Sequence, residues 1–264
     1  MHIGRRDFIT FLGGAVITWL AARALRNDQI RALQLRVLRL QAENASSTIE
    51  QFIKGVESQV GWNTRLPWST DQRKFDGLRT LLQVPAITEL SQLDSDGKER
   101  LRQSKHGMDV PNSPIDLSRE PKFTEAMAKK VYYGPVYFRR ESEPYMTLAL
   151  AGIRRDGGVS VAEVNLKLIW DVISQIKVGE HGVAYIVDAE GRLIFHPDID
   201  LQLAQTDMSQ FPQVVAARAT PTQPVQVVKD INGRKLLVAH AAVESPRWLL
   251  FVEIPLDEAS ALAE

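Results

Sequence analysis

The sequence contains no cysteine, so it can form no disulfide, no thiolate metal site and no cysteine-based active site. Basic residues (Lys and Arg) and acidic residues (Asp and Glu) number 32 each, which gives a formal net charge of zero at pH 7. Nucleic-acid-binding domains are usually basic, so we expect no nucleic-acid partner. At 264 residues, with 44% hydrophobic residues, the chain is long enough to bury one or two cores.

The N-terminal uncharged run, residues 8–22, is shorter than the ~20 apolar residues that a membrane-spanning helix usually needs. It follows Arg5-Arg6 and ends near small residues at Ala22-Arg-Ala24, which resembles a bacterial twin-arginine export signal. We therefore expect residues 1–24 to be either a cleaved export signal or an uncleaved membrane anchor. The rest of the chain would lie in the periplasm, or on the inner membrane facing the periplasm.

Motifs for catalysis are also missing from the sequence. Its five histidines show no H-x-x-x-H spacing, and no G-x-S-x-G, P-loop or G-x-G-x-x-G element occurs. Acidic residues are scattered over turn-like segments, where solvated carboxylates normally lie. We therefore predict that the protein is not an enzyme, with no catalytic residues, no metal site and no cofactor.

A stretch without glycine or proline, residues 25–54, predicts a long helix. Apolar residues recur along it at a spacing of three or four, at Ile30, Leu33, Val37 and Leu40. Such a stripe is either the seam of a parallel helix dimer or a face that packs on the chain's own domains. We favour a homodimer, with residues 25–61 as a stalk helix and residues 28–45 as its contact region.

Two Asp-x-x-Gly turns, at residues 94–97 and 188–191, each separate two strand-like segments and predict two β-hairpins. A helix-like segment and further strands follow each hairpin, which indicates that one sheet domain occurs twice. The predicted class is α+β, with a long N-terminal helix before antiparallel-sheet domains at residues 62–178 and 179–255. Residues 256–264 begin a C-terminal helix, which we expect to fray because so short a helix is unstable alone.

Four further segments carry a resemblance to a known family. In chain order they read Asp116-Leu-Ser…Pro121-Lys-Phe, Tyr133-Gly-Pro-Val-Tyr, Glu143-Pro-Tyr-Met-Thr-Leu-Ala and Val164-Asn-Leu-Lys-Leu-Ile-Trp-Asp-Val-Ile. Together with the long helix and two PAS-like sheets, their order over residues 27–256 resembles the double Cache (dCache) sensor domain of bacterial transmembrane receptors. The resemblance implies the extracytoplasmic input module of a histidine kinase, nucleotide cyclase or chemoreceptor.

The resemblance also implies a small-molecule site in the first, membrane-distal domain, between its sheet and the segment that covers it. The residues expected there are Tyr132, Tyr137, Tyr145, Glu163 and Asn165 on the sheet, with Arg119 and Lys122 on the covering segment. Amino-acid-binding members carry Arg-x-Trp on that segment and aspartate on the last strand, whereas this chain has Glu120-Pro-Lys122 and Glu163. These differences argue against amino-acid specificity, and the ligand class stays open.

The sequence therefore predicts an extracytoplasmic ligand-sensing module with a small-molecule ligand in its membrane-distal domain. No kinase, cyclase or methyl-accepting segment occurs in the sequence, so we expect an input module without an output domain on this chain. Two alternatives remain open: a soluble exported small-molecule-binding protein, and a receptor fragment that does not signal.

Overall fold

The structure, a computed structural model, describes residues 5–65, 70–139, 143–154, 156–219, 225–230 and 233–261. Within residues 5–31, 70, 225–226 and 260–261 it describes the backbone alone. Of the predicted export signal, residues 1–4 and the side chains of the remainder therefore lie outside the described part. In the ranges described, no helix is both long and apolar enough to cross a membrane.

The elements alternate between helices and short antiparallel strands. The helices are α1 (Arg5–Trp62), α2 (Thr70–Gln83), α3 (Pro121–Lys129), α4 (Lys167–Gln175), α5 (Ile199–Leu203), α6 (Pro212–Ala219) and α7 (Leu256–Ala261). The strands of the first half are β1 (Ile87–Leu93), β2 (Glu99–Ser104), β3 (Val110–Pro111), β4 (Val131–Arg139), β5 (Glu143–Ala151) and β6 (Val159–Asn165). Those of the second half are β7 (Val183–Val187), β8 (Leu193–Phe195), β9 (Val225–Lys229), β10 (Lys235–Val243) and β11 (Trp248–Pro255).

Two sheets form, as the sequence predicts, and the α+β prediction is confirmed. The first has the strand order β3-β2-β1-β6-β5-β4 and the second has the order β8-β7-β11-β10-β9. In each sheet the leading hairpin pairs with the last strand of its own half, so β1 lies beside β6 and β7 beside β11. The two halves therefore repeat one topology, with β6 corresponding to β11 and β5 to β10.

The repeat extends to the hairpin turns. In each turn the amide of the glycine donates to the carbonyl oxygen of the aspartate, at 3.1 Å for Gly97 and 3.0 Å for Gly191. Both glycines have positive φ, and a Cβ on either would collide with a serine, Ser118 or Ser209. Each serine lies just ahead of the helix that covers its own sheet, α3 or α6. The turns thus fix the covering segment to the hairpin in both domains.

Helix α1 packs along both sheets, but not through the stripe expected from the sequence. Its buried residues are Leu38, Ala42, Ala45, Ile49, Ile53, Val56 and Val60. In the predicted stripe, Leu33, Val37 and Leu40 instead expose 62%, 53% and 48% of their surface, and the side chain of Ile30 lies outside the description. Packing on the chain's own domains therefore uses a different face of α1 and leaves this stripe open.

Helix α7 differs from the sequence expectation of a frayed end. Ala259 is 1% exposed, and Leu256 packs against the main core. The Glu258 carboxylate accepts hydrogen bonds from the backbone amides of Glu180 and His181, the latter at 3.1 Å. The expectation was wrong because it treated the helix as isolated, whereas burial and this link to the loop before β7 supply the packing that a short helix needs.

Candidate ligand-binding site

The two faces of the first sheet are covered by different helices. One face packs against α1 and contributes Met146, Leu148, Ala162 and Val164 to the main core. On the opposite face, α3 inserts Phe123 and Ala126 among small apolar residues of the sheet, which include Ala149 and Val161. Residues of this face alternate along each strand, so the neighbours of that apolar patch on the same face are Thr147 and Glu163. The sheet thus carries a polar half-face beside its apolar, α3-covered half.

Glu163 is at the centre of the polar half-face. Its side chain is 14% exposed, and its carboxylate accepts hydrogen bonds from the Tyr137 hydroxyl and, at 2.9 Å, from Thr147 Oγ1. Arg139 Nη2 lies 3.5 Å from Glu163 Oε2 and forms an ion pair with it. Burial, followed by the hydrogen bond to this carboxylate, raises the pKa of Tyr137 well above its usual value, so the phenol stays protonated and donates.

Two tyrosines form an aromatic surface next to Glu163. The rings of Tyr137 and Tyr145 stack with centroids 6.1 Å apart and an interplanar angle of 28°. The guanidinium of Arg139 lies over both rings, with its Cζ 4.6 Å from the Tyr145 centroid and 5.3 Å from the Tyr137 centroid. The negative faces of aromatic rings attract cations, so this surface and the neighbouring carboxylate together form a cation-binding environment.

Glu89 lies directly across from Glu163 in the pairing of β1 with β6. Its side chain is partly buried, and burial raises the pKa of this carboxyl, with the nearby charges of Glu163 and Glu99 acting in the same direction. The positive charges of Arg102 and Arg139 oppose the shift. Glu89 is therefore a partly buried carboxylate that faces a second acid, Glu163, across the sheet.

The neighbouring Glu99, by contrast, is fully partnered. It is 1% exposed and accepts from Arg102 through two bonds, Nε to Oε1 at 3.0 Å and Nη2 to Oε2 at 2.8 Å. Ser91 Oγ donates to the same carboxylate at 2.7 Å. The positive charge of Arg102 is thus neutralised within the sheet.

The structure brings together three of the predicted site residues, Tyr137, Tyr145 and Glu163. Asn165 follows on the same face, but its Oδ1 accepts the Lys167 backbone amide at 2.8 Å and so helps to start α4. Tyr132 packs into the apolar cluster beneath α3.

The two predicted cations lie apart from that group. Arg119 is exposed just before α3, and Lys122 is partly buried on it. Across the described residues, neither forms a hydrogen bond or ion pair with Glu163. Sequence reasoning also missed Glu89, Arg139 and Thr147. The signal for Arg139 and Thr147 was available, because each lies two residues after a predicted tyrosine and therefore on the same face of its strand.

A groove of about 960 Å³ opens beside the polar half-face. Three of its lining residues, Glu143, Tyr145 and Asn165, border that half-face, and the rest come chiefly from α1, the end of α2 and the start of α4. A groove of this size can hold a small organic molecule, because ligand pockets typically measure about 300–1,000 Å³. Tyr145 and Asn165 line this groove, whereas Tyr137, Arg139 and Glu163 are not among its lining residues.

The second sheet has a carboxylate at the matching position, but its surroundings are filled. Glu253 pairs with Val238 as Glu163 pairs with Thr147. Tyr185 donates to Glu253 Oε2 at 3.2 Å, and the Tyr185 ring stacks on Phe251 with centroids 5.2 Å apart. Burial, and then the charge of Asp230, raises the pKa of Glu253 to about 7. Side chains of the protein itself thus fill this position.

This architecture agrees with that of a known protein family. The dCache_1 family model, which describes a Cache domain, matches residues 22–263. The chain belongs to the Cache domain family. The double Cache fold predicted from the sequence is therefore confirmed.

Solved structures of sensory and ligand-binding domains resemble this chain over most of its length. The sensory domain of the Campylobacter jejuni chemoreceptor Tlp3 is 13% identical with a TM-score of 0.70, covering 89% of this chain and 99% of that one. The extracellular domain of the putative histidine kinase mmHK1S-Z2 is 14% identical with a TM-score of 0.68, covering 85% and 97%. The ligand-binding domain of the Pseudomonas aeruginosa PAO1 amino-acid chemoreceptor PctB, in complex with L-Gln, is 20% identical with a TM-score of 0.61, covering 86% and 93%.

No curated protein matches the chain in sequence. The family and these structures consist of extracytoplasmic sensory and ligand-binding domains, in line with the predicted sensing module. At these sequence identities the structural similarity supports the fold alone. The ligand must therefore be inferred from the residues of this chain.

Proposed function

We propose that this Cache protein binds a small molecule on the polar half-face of its first sheet, in a membrane-distal domain of residues 62–178. Residues 179–255 would form the membrane-proximal domain. The observation that carries the proposal is the pair of acids Glu89 and Glu163, which lie opposite each other in the sheet beside the stacked rings of Tyr137 and Tyr145. Like charges brought together on a partly buried surface repel each other, and such clusters of titratable groups are found mainly at functional sites.

The proposed sensing role also implies a location for the protein in the cell. We propose that residues 1–24 export the chain to the periplasm or anchor it in the inner membrane through residues 8–22. A soluble exported binding protein is the alternative, and the mass of the intact protein from an exporting cell distinguishes the two. A retained N-terminus supports the anchored sensor, and loss of residues 1–24 supports the soluble form.

Binding at the polar half-face is tested by a thermal-shift screen of small metabolites against the full chain. A ligand that binds the folded state raises its Tm by mass action. We expect Glu163→Gln to weaken any such hit by about tenfold or more, because a hydrogen bond to a charged group contributes roughly 1.5–3 kcal/mol. Tyr145→Ala should also abolish the shift, since the ring forms part of the aromatic surface.

The matched control is Glu253→Gln, which alters the same position in the second sheet. The Tm of Glu253→Gln without ligand serves as the reference for this variant. The rise in Tm that the ligand causes should be the same in Glu253→Gln as in the unaltered protein. A rise that survives Glu163→Gln and disappears with Glu253→Gln would place the site in the other domain and refute the proposal.

We further propose that the chain forms a parallel homodimer through the exposed stripe of α1. Leu33→Glu combined with Val37→Glu places charges in the contact and should yield monomers in sedimentation without unfolding the sheets. Phe75→Glu with Leu82→Glu is the matched control, because both residues are exposed on α2 at 69% and 75%. If the unaltered protein sediments as a monomer at a concentration on the order of tens of micromolar, this result would contradict the dimer.

A further inference from the structure

We propose that a groove between α1 and the edge strand β4 is a second ligand site, which binds a small organic anion with an apolar body. The groove lies beside α1 and shares no lining residue with the polar half-face, so this site is independent of the function proposed above. Three observations carry the inference: the shape of the groove, two cations at one of its ends and an apolar surface next to them.

The groove has a volume of about 580 Å³, within the range of about 300–1,000 Å³ that is typical of sites for small organic molecules. The last turns of α1 form one wall, and β4 with the end of β5 forms the other. The walls approach each other at Gly61, where a Cβ would be 3.4 Å from Leu150 Cδ2. At one end Tyr133 reaches across to α1, since its hydroxyl donates to Glu57 Oε2 at 2.7 Å. The groove is therefore a defined space between a helix and a sheet edge.

The two ends of the groove differ in their balance of charge. At the end near Tyr133, Lys54 has an acid beside it, since its Nζ is 3.9 Å from Glu50 Oε2. Arg65 and Lys130 line the other end, and among the described residues neither forms an ion pair with a carboxylate. The two cations come from different elements, because Arg65 follows the last turn of α1 and Lys130 precedes β4. Two positive charges that converge in this way favour an anionic ligand.

The local contacts of the two cations leave their charges available to a ligand. The guanidinium of Arg65 lies over the Trp62 ring, with its Cζ 5.1 Å from the ring centroid, a contact that orients the group without neutralising it. Lys130 has φ +73°, a conformation that residues other than glycine seldom adopt, and its carbonyl oxygen accepts the Ala151 amide at 3.0 Å. Backbone strain of this kind clusters at functional sites.

An apolar surface lies next to the two cations. It consists of Val131, Leu150 and Ile153, all of which line the groove. Ile153 is 84% exposed, so a ligand that covers this side chain removes a large apolar area from water. An anion with an apolar body therefore gains both charge-assisted contacts with Arg65 and Lys130 and burial against this surface. A cation would be repelled at the same end of the groove.

The test is calorimetric titration of the full chain with benzoate and hexanoate, two anions with apolar bodies. Benzamide, which lacks the charge, and acetate, which lacks the apolar body, are the matched probes. We expect benzoate or hexanoate to bind with a Kd of about 1 mM or tighter, and both matched probes to bind about tenfold more weakly. Arg65→Gln and Lys130→Gln should each weaken binding about tenfold, because each removes a charge-assisted contact. Added salt should also weaken binding, since it screens exposed charges.

Lys129→Gln is the matched control variant. It removes a positive charge beside Lys130, but Lys129 is paired with Glu125, Nζ to Oε2 at 2.8 Å, and does not line the groove. Its affinity for benzoate should equal that of the unaltered protein, and circular dichroism confirms the fold of each variant. Benzamide binding as tight as that of benzoate would overturn the anion class, and equal losses for Lys129→Gln and Lys130→Gln would show that no defined site exists. Failure of benzoate and hexanoate to bind at up to about 10 mM would refute the inference and leave the proposed function intact.

Discussion

Gly158→Ala should destabilise the first domain by more than about 4 kcal/mol, the range reached by severe backbone and packing defects. Gly158 has φ +63°, and a Cβ there would lie 1.9 Å from the carbonyl oxygen of Leu93, at the end of β1. That oxygen belongs to the backbone of a central strand and cannot turn aside. The Tm should therefore fall by roughly 10 °C or more, at about 2–4 °C for each kcal/mol in a chain of this size.

Gly233→Ala is the matched control for this prediction. Gly233 also has positive φ, at +79°, but a Cβ there would have nothing within 4 Å. Gly233→Ala should lower the free energy of unfolding by about 1–2 kcal/mol, because only the left-handed backbone conformation is strained. Differential scanning calorimetry on both variants measures the difference, and hydrogen exchange assigns it to a domain. Equal losses for the two glycines would show that the contact with Leu93 does not matter.

Glu253→Gln should remove a pH dependence of about 3 kcal/mol from the stability of the second domain. The pKa of Glu253 is raised from 4.5 to about 7, first by burial and then by Asp230, while Tyr185 and Gln213 oppose the rise. The folded protein thus holds a proton that the unfolded chain releases, and stability falls as pH rises from about 4.5 through 7. Each pKa unit corresponds to 1.36 kcal/mol, which gives the expected magnitude.

Comparison of the variant with the unaltered protein isolates this residue, because other titrating groups contribute equally to both. His196 is one of them, since burial lowers its pKa and its effect on stability runs the opposite way. Denaturant unfolding at pH 4 and pH 8 provides the measurement. At pH 4 the two proteins should be of similar stability, and at pH 8 the glutamine variant should be the more stable. Parallel pH profiles would mean that Glu253 does not titrate between these values.

The sheets could be predicted from the sequence because their signals are local. Each Asp-x-x-Gly turn fixes a hairpin by its own hydrogen bonds, and strand-like runs on either side define the two repeats. The packing of α1 and α7 could not be predicted in the same way. Apolar residues at a spacing of three or four occur on more than one face of α1, and periodicity alone does not say which face meets the sheets.

The candidate site shows the same division between local and long-range information. Tyr145 and Glu163 belong to neighbouring strands on one face, which strand alternation predicts well. Glu89 lies 74 positions before Glu163 in the chain, and only the register of β1 against β6 brings the two acids together. The covering residues Arg119 and Lys122 were placed by family resemblance, which gives the segment but not where each side chain lies.

The central claim is that the first sheet, and not the second, holds the ligand, and a crystal structure of the full chain with a bound screening hit tests it most directly. We predict ligand density on the polar half-face, within hydrogen-bonding distance of Glu89 or Glu163 and against the Tyr145 ring. Density beside Glu253 in the second sheet, or confined to the groove between α1 and α4 without contact with Glu89 or Glu163, would contradict the account.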